Sequence, residues 1–263
     1  PEQGLLQLRK ELGLFANIRP LKIFDKLKHL SVLKPEQLDG VDFVIYRELT
    51  GGIYFGEKTK TTDSASDLCL YHRYEIERIG RLAFEAALKR NHKLCLIDKA
   101  NVLESSRLWR DVIQKMSKEY PDIELSYLFV DNAAMQMILN PAQFDVIVTS
   151  NMFGDIISDE ASILGGSLGL LPSASAGESA RLYEPIHGSY PQAKGKNIAN
   201  PIATILSVEM MLRDFNFTDA ADAILEATEH VIHNNILTKD LNKTSQYGTS
   251  DVGKAMVSFI KSK

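Results

Sequence analysis

The chain has 263 residues, 44% of them hydrophobic and 24% charged, with a formal net charge of −4. That length suits one or two domains with a sizeable core, and the acidic balance excludes a global attraction to nucleic acid or an acidic membrane, leaving only local basic pockets. No apolar run approaches membrane-spanning length and no signal peptide opens the chain, so a soluble cytoplasmic protein with neither nucleic-acid nor membrane partners is expected.

In chain order, Leu5, Leu6, Leu8, Arg9 and Leu12 suit a short helix with one apolar face, closed by Gly13. Residues 15–20 read as extended, because the residue before Pro20 avoids the helical region. Residues 41–46 form a strand that delivers Arg47 and Glu48, and Gly51-Gly52 breaks it before Ile53-Tyr54-Phe55. Cys69 and Cys95, the only cysteines, lie in the apolar runs Leu68-Cys69-Leu70 and Leu94-Cys95-Leu96, where buried, reduced thiols are expected. Ile76, Ile79, Ala83 and Ala87 follow helical spacing over residues 74–89. A strand over 93–98, a helix near 108–118 and a strand over 124–130 come next, with Asp131 and Asn132 at the hand-over to another helix. Residues 144–149 are a β-branched apolar run, hence a buried strand, leading into Asn151 and a helix from about Met152. Residues 172–175 and 183–191 read as irregular loops rich in small residues, Gly and Pro, and three helices are predicted at 202–213, 220–233 and 252–260.

Asp155 and Asp159 are four apart, so a helix stacks both carboxylates on one face, where a hard divalent cation would bind. An isolated pair of this kind reads more simply as a solvated first turn. Three apolar strands, however, end in groups able to do chemistry: Lys99, Asp131, and Asn151 with Asp155. Alternating strands and helices predict an α/β fold, in which ligands gather at strand carboxyl ends. His230 and His233 share a helix but have no third zinc ligand at a recognisable spacing, so they read as a solvated face.

Several segments together resemble the isocitrate/isopropylmalate dehydrogenase family, and within it the 3-isopropylmalate dehydrogenases. They are Leu5 to Arg9, Ala16-Asn17-Ile18-Arg19-Pro20, Arg47 to Gly56, Asp98-Lys99-Ala100-Asn101-Val102-Leu103, Val130 to Met135, the stretch through Asp159, and Tyr183 to Pro201. The resemblance implies the family's two-domain α/β fold, which is not a Rossmann fold, and the sequence indeed has no Gly-x-Gly-x-x-Gly. It implies NAD-dependent oxidation and decarboxylation of 3-isopropylmalate, a small-molecule substrate, with Mg²⁺ or Mn²⁺. It also implies a homodimer whose active sites borrow residues across the interface.

By the same resemblance, Arg9, Arg19 and Arg47 bind the substrate carboxylates, which guanidinium forks suit well, while Leu5 and Leu6 contact its isopropyl group. Asp155 and Asp159, with Asp131 of the partner subunit, match the metal ligands, and Asp131 also borders the substrate. Lys99, again across the dimer, matches the base for the hydroxyl proton, and Tyr54 the acid that protonates carbon. Asn101 beside Lys99, Glu2, and Glu184, His187, Gly188, Ser189, Gln192 and Asn200 fall on the cofactor site. Gln192 departs from the Asp of many NAD-dependent members, so weaker rejection of NADP is expected.

Family members carry roughly a further third of a chain before this one begins, so it is expected to be a portion of a longer enzyme. By resemblance, residues 1–13 with 166–263 make an incomplete first domain and 14–165 the second. Rival expectations are a tartrate/malate or homoisocitrate dehydrogenase, a non-catalytic fragment that keeps the dimer interface, and a metal-dependent phosphohydrolase.

Overall fold

A computed structural model of the chain describes the backbone of residues 2–263 and the side chains of the same residues except 2, 3, 5 and 6. Glu2, Leu5 and Leu6, expected as site residues, lie outside these described side chains. The elements, in order, are α1 (Glu2–Glu11), β1 (Ala16–Lys22), β2 (Asp42–Glu48), β3 (Lys58–Lys60), β4 (Ala65–Asp67), α2 (Arg73–Leu88), β5 (Lys93–Asp98), α3 (Glu104–Met116) and β6 (Glu124–Phe129). They continue as α4 (Val130–Leu139), β7 (Val146–Thr149), α5 (Asn151–Ser162), β8 (Pro172–Ala176), β9 (Arg181–Pro185), α6 (Ile202–Asp214), α7 (Thr218–His233) and α8 (Thr249–Lys261).

The chain clusters into two compact units. One runs up to Arg19 and includes residues 40–161 and 175–182; the other comprises 20–39, 162–174 and 183–263. This partition groups the chain differently from the family division: residues before 14 and 175–182 fall in the strand-rich unit, and 20–39 and 162–165 in the helical one. Residues 175–182 join the strand-rich unit, where the Ala176 carbonyl accepts the Phe15 N–H at 2.9 Å and the Phe15 carbonyl accepts the Leu49 N–H at 2.8 Å. Residues 20–39 join the helical unit because Phe24 and Leu27 are buried in its core.

The strand order is β6-β5-β7-β2-β1-β8-β9, with β3 and β4 forming a separate antiparallel pair. In the first unit β2, β7, β5 and β6 run parallel, in a register that sets Arg47 beside Thr149, Thr149 beside Ile97, and Asp98 beside Phe129. Their carboxyl ends therefore fall in one row. Strand β7 is buried along its whole length, as expected of a parallel strand covered on both faces. The helical period in α2 places Ile76, Ile79, Ala83, Phe84 and Ala87 in the core, while α3 contributes Trp109, Val112 and Ile113. Trp109 meets Tyr71 edge-on with ring centroids 5.4 Å apart. In the second unit α6, α7 and α8 close over a core of Ile202, Leu206, Val231, Ile232, Val252 and Met256.

Three local expectations are corrected. Residues 172–176 form the buried strand β8 rather than a loop, since its small side chains are covered on both faces, and β9 orders part of the second predicted loop. Cys95 is buried, and that burial pushes its thiol up to about 11. Cys69 is exposed instead: the run that carries it leaves the β3–β4 pair, and its neighbours Leu68 and Leu70 are exposed too.

Candidate active site

Two groups of predicted residues issue from the row of strand ends in the first unit. The first is built around Arg47, the penultimate residue of β2. Its guanidinium is almost buried and lies over the start of α5. Nε donates to the Asn151 carbonyl at 3.0 Å, Nη2 to Asn151 Oδ1 at 2.9 Å, and Nη1 to Asp155 Oδ1. Burial lowers the Arg47 pKa, the Asp155 charge opposes that shift, and the charges of Arg19 and Arg9 add to it. Gly154 makes the approach possible, because a Cβ there would meet Arg47 Cγ at 2.5 Å and Cβ at 2.7 Å.

After Glu48 the chain turns through Gly52, whose φ of +75° favours glycine, into a 3₁₀ turn carrying Tyr54. The Tyr54 hydroxyl donates to Asp155 Oδ2 at 3.0 Å. Partial burial, then this hydrogen bond, raise the phenol pKa. The residue is 42% exposed, so Tyr54 is no core residue. One turn along α5, Asp159 accepts from Arg19 Nη1 at 2.7 Å, and Ser158 Oγ accepts from the same nitrogen at 2.6 Å. Arg19 Nε in turn donates to Asn17 Oδ1 at 2.7 Å, a pair on one face of β1 as the strand period dictates. Two carboxylates, two guanidinium groups and a phenol thus converge on the first turns of α5.

The second group follows β5 and β6. Lys99 Nζ donates to Asp131 Oδ1 at 2.5 Å, and that contact holds the Asp131 carboxyl below its usual range. The turn beneath is pinned by hydrogen bonds: Asp98, 2% exposed, takes Arg110 in a two-bond fork at 2.9 and 2.8 Å and accepts the Ala100 N–H at 3.0 Å. The Lys99 N–H donates to Ser106 Oγ at 3.1 Å. Asn101 lies on this turn, its carbonyl facing Arg107. Although both groups leave the same row, Asp131 does not join Asp155 and Asp159: among the described residues no three acidic, imidazole or thiol groups gather as a metal site.

The second unit holds a groove of about 980 Å³ whose lining includes Ser167, Gly169, His187, Gly188, Ser189 and Asn200, a size that suits a nucleotide-sized ligand. Four predicted cofactor residues, His187, Gly188, Ser189 and Asn200, therefore line one cavity. Asn200 is held by Asp240, to which its Nδ2 donates at 3.0 Å, and by the Ile202 N–H, which donates to its Oδ1 at 3.0 Å. Glu184, on β9, and Gln192, exposed on a short turn, are not part of that lining. Lys239 and Asp240, which do line it, carry no sequence signal beyond a polar loop. Ser158 and Gly154 carry no sequence signal either, since each is defined by what another strand brings against it, whereas Asn151 stands out by its place at the end of β7.

A family profile described as isocitrate/isopropylmalate dehydrogenase matches residues 1–256. The chain is 56% identical over 262 residues to the 3-isopropylmalate dehydrogenase of Streptococcus thermophilus, covering 99% of this chain and 75% of that one. It is 52% identical over 263 residues to the enzyme of the same name from Bacteroides fragilis, covering 99% and 74%. Among solved structures it is similar to the isocitrate dehydrogenase of Methylococcus capsulatus, with a TM-score of 0.88, 38% identity and coverage of 97% of this chain and 76% of that one. A β-decarboxylating dehydrogenase from Thermococcus kodakarensis gives a TM-score of 0.84 at 35% identity, with coverage of 98% and 72%. With the profile spanning nearly its whole length, the chain belongs to the isocitrate/isopropylmalate dehydrogenase family.

Proposed function

We propose that this chain carries out the NAD-dependent oxidative decarboxylation of 3-isopropylmalate to 4-methyl-2-oxopentanoate and CO2, a step of leucine biosynthesis, assisted by Mg²⁺ or Mn²⁺. The observation that carries this reading is the convergence of Arg19, Arg47, Tyr54, Asp155 and Asp159 along helix α5. Arg9, Arg19 and Arg47 bind the two substrate carboxylates, and Leu5 and Leu6 receive the isopropyl group. Asp155 and Asp159 offer only oxygen donors on one helix face, which fits a hard cation; Asp131 of the partner subunit, substrate and water would complete its shell. The glycine-lined groove with His187, Ser189 and Asn200 fits the adenosine part of NAD, with Glu2, Asn101, Glu184 and Gln192 assigned to the rest of its site. When bound, NAD accepts the hydride and the cation polarises the resulting carbonyl for loss of CO2.

The chain's own residues handle the protons. Lys99 of the partner subunit takes the proton of the substrate hydroxyl as the hydride leaves. Tyr54 returns a proton to the carbon from which CO2 departed. Its partial burial and its bond to Asp155 favour the protonated phenol that this role needs. A homodimer would cover exposed apolar side chains of the first unit such as Phe55, Leu68, Leu70, Met135, Leu139 and Ile156. The family's two-domain division, residues 1–13 with 166–263 and 14–165, is proposed for the longer fold. A reducing cytoplasm suits the unbridged, exposed thiol of Cys69.

The decisive assay follows NADH absorbance with 3-isopropylmalate, NAD and Mg²⁺, alongside malate, tartrate, homoisocitrate and isocitrate. Metal-dependent NADH formation with preference for 3-isopropylmalate supports the proposal; no NADH formation, or a clear preference for another acid, overturns it. Comparison of kcat/KM for NAD and NADP should favour NAD by a smaller margin than an Asp at position 192 would give.

A further inference from the structure

We infer that Asn151 is a positioning residue that locks the substrate-binding guanidinium of Arg47 in register with the turn carrying Tyr54. This inference rests on the proposed reading of Arg47 and Tyr54. Asn151 is 1% exposed, so water cannot replace its partners, and every polar group it owns that faces the strand ends is engaged. Its carbonyl accepts from Arg47 Nε at 3.0 Å, and its Oδ1 accepts from Nη2 at 2.9 Å and more weakly from Nε at 3.3 Å. Its Nδ2 donates to the Gly51 carbonyl at 3.2 Å. Its backbone N–H donates to the Tyr71 hydroxyl at 2.9 Å. The amide can satisfy these partners in one orientation only, with oxygen towards the cation and nitrogen towards the carbonyl.

The consequence is a closed ring. Arg47 bonds Asn151, Asn151 bonds Gly51, the turn from Gly51 carries Tyr54, Tyr54 bonds Asp155, and Asp155 returns to Arg47. A buried carboxylate fixes the near side of the turn: Glu48, fully covered, accepts the Thr50 N–H at 2.9 Å, the Gly51 N–H at 2.7 Å and the Thr50 hydroxyl at 2.7 Å. Tyr71 fixes the far side, since a Cβ on Gly51 would meet its ring at 2.8 Å. Asn151 ties the guanidinium to the backbone of the turn at Gly51, as Asp155 ties it to the Tyr54 hydroxyl.

The test is Asn151→Asp in the full chain. Aspartate keeps an acceptor for Arg47 but replaces the donor to the Gly51 carbonyl with an oxygen, so it cuts the ring at one bond. Amide hydrogen exchange read by mass spectrometry should accelerate by about ten-fold in the segment 50–56, the effect of losing one buried hydrogen bond, while β2 and α2 keep their protection. In kinetics, kcat should fall by about ten-fold or more while KM for 3-isopropylmalate moves less than about three-fold, because the Arg47 contact survives. Tyr71→Phe, which frees the Asn151 N–H and changes no charge, should shift exchange in the same segment more weakly and decides the matter if Asn151→Asp does not fold. Unchanged exchange over 50–56 in the folded variant, or a loss spread evenly over the chain, overturns the inference. Wild-type protein that makes no NADH overturns the functional reading instead, and the exchange experiment still decides the role of Asn151.

Discussion

Arg47 spends its donors on Asn151 and Asp155, and a lysine cannot reproduce that planar fork. Arg47→Lys should therefore lower kcat/KM by about 100-fold, mainly through KM, with circular dichroism unchanged. Tyr54 makes a second prediction, this time for pH. Its pKa is raised above the usual 10.0 by burial and by Asp155, so the phenol stays a proton donor up to and beyond that pH and loses the role only as pH rises through the raised value. An alkaline limb of kcat set by Tyr54 should lie above 10.0 and should disappear in Tyr54→Phe, whose kcat should drop by about 100-fold or more. Position at strand ends and helical spacing singled out Lys99, Asp131, Asn151, Asp155 and Asp159 in the sequence, whereas Arg19, Arg47 and Tyr54 stood out only because the family segments match. The sequence was silent on Ser158, whose hydroxyl takes an Arg19 hydrogen bond, since nothing local marks one serine on a polar helix face.

The element that most repays attention is α5. Its acids were legible from their four-residue spacing, and the parallel register of β2, β7 and β5 shows why its start is a meeting place: the strand ends lie level. Gly154 belongs to this scale. On an isolated helix, Gly→Ala stabilises by about 1 kcal/mol; here the added Cβ would run into Arg47 at 2.5 Å and Thr149 at 3.0 Å. Gly154→Ala should thus lower the melting temperature and raise KM for the substrate, and a gain in stability with unchanged KM would show that Arg47 yields without cost. The strands β8 and β9 mark the opposite case. Pro-Ser-Ala-Ser-Ala and the Gly- and Pro-rich stretch after it have the composition of loops, and only pairing within the sheet makes them strands. Cys69 shows the same limit, since an apolar run tells of hydrophobicity and not of what covers it.

At the scale of the molecule, one chain keeps Lys99 and Asp131 together and apart from Asp155 and Asp159, which supports a site completed across a dimer. Lys99→Ala and Asp155→Asn, each inactive alone, should regain about a quarter of wild-type activity when unfolded together and refolded. Half of the dimers formed at random are mixed, and each mixed dimer has one intact site. No recovery would argue that each subunit works with its own lysine. The sequence by itself determined the α/β class, the order of most elements and the identities of the chemical groups, because hydrophobic period, strand-end position and family segments are all local in the chain. Only the tertiary structure decided how the chain divides into units, which small-residue loops are strands, and that Asn151 ties Arg47 to the Tyr54 turn. Those outcomes depend on hydrogen bonds and close approaches between residues about a hundred positions apart, and no local pattern encodes which distant backbone will arrive.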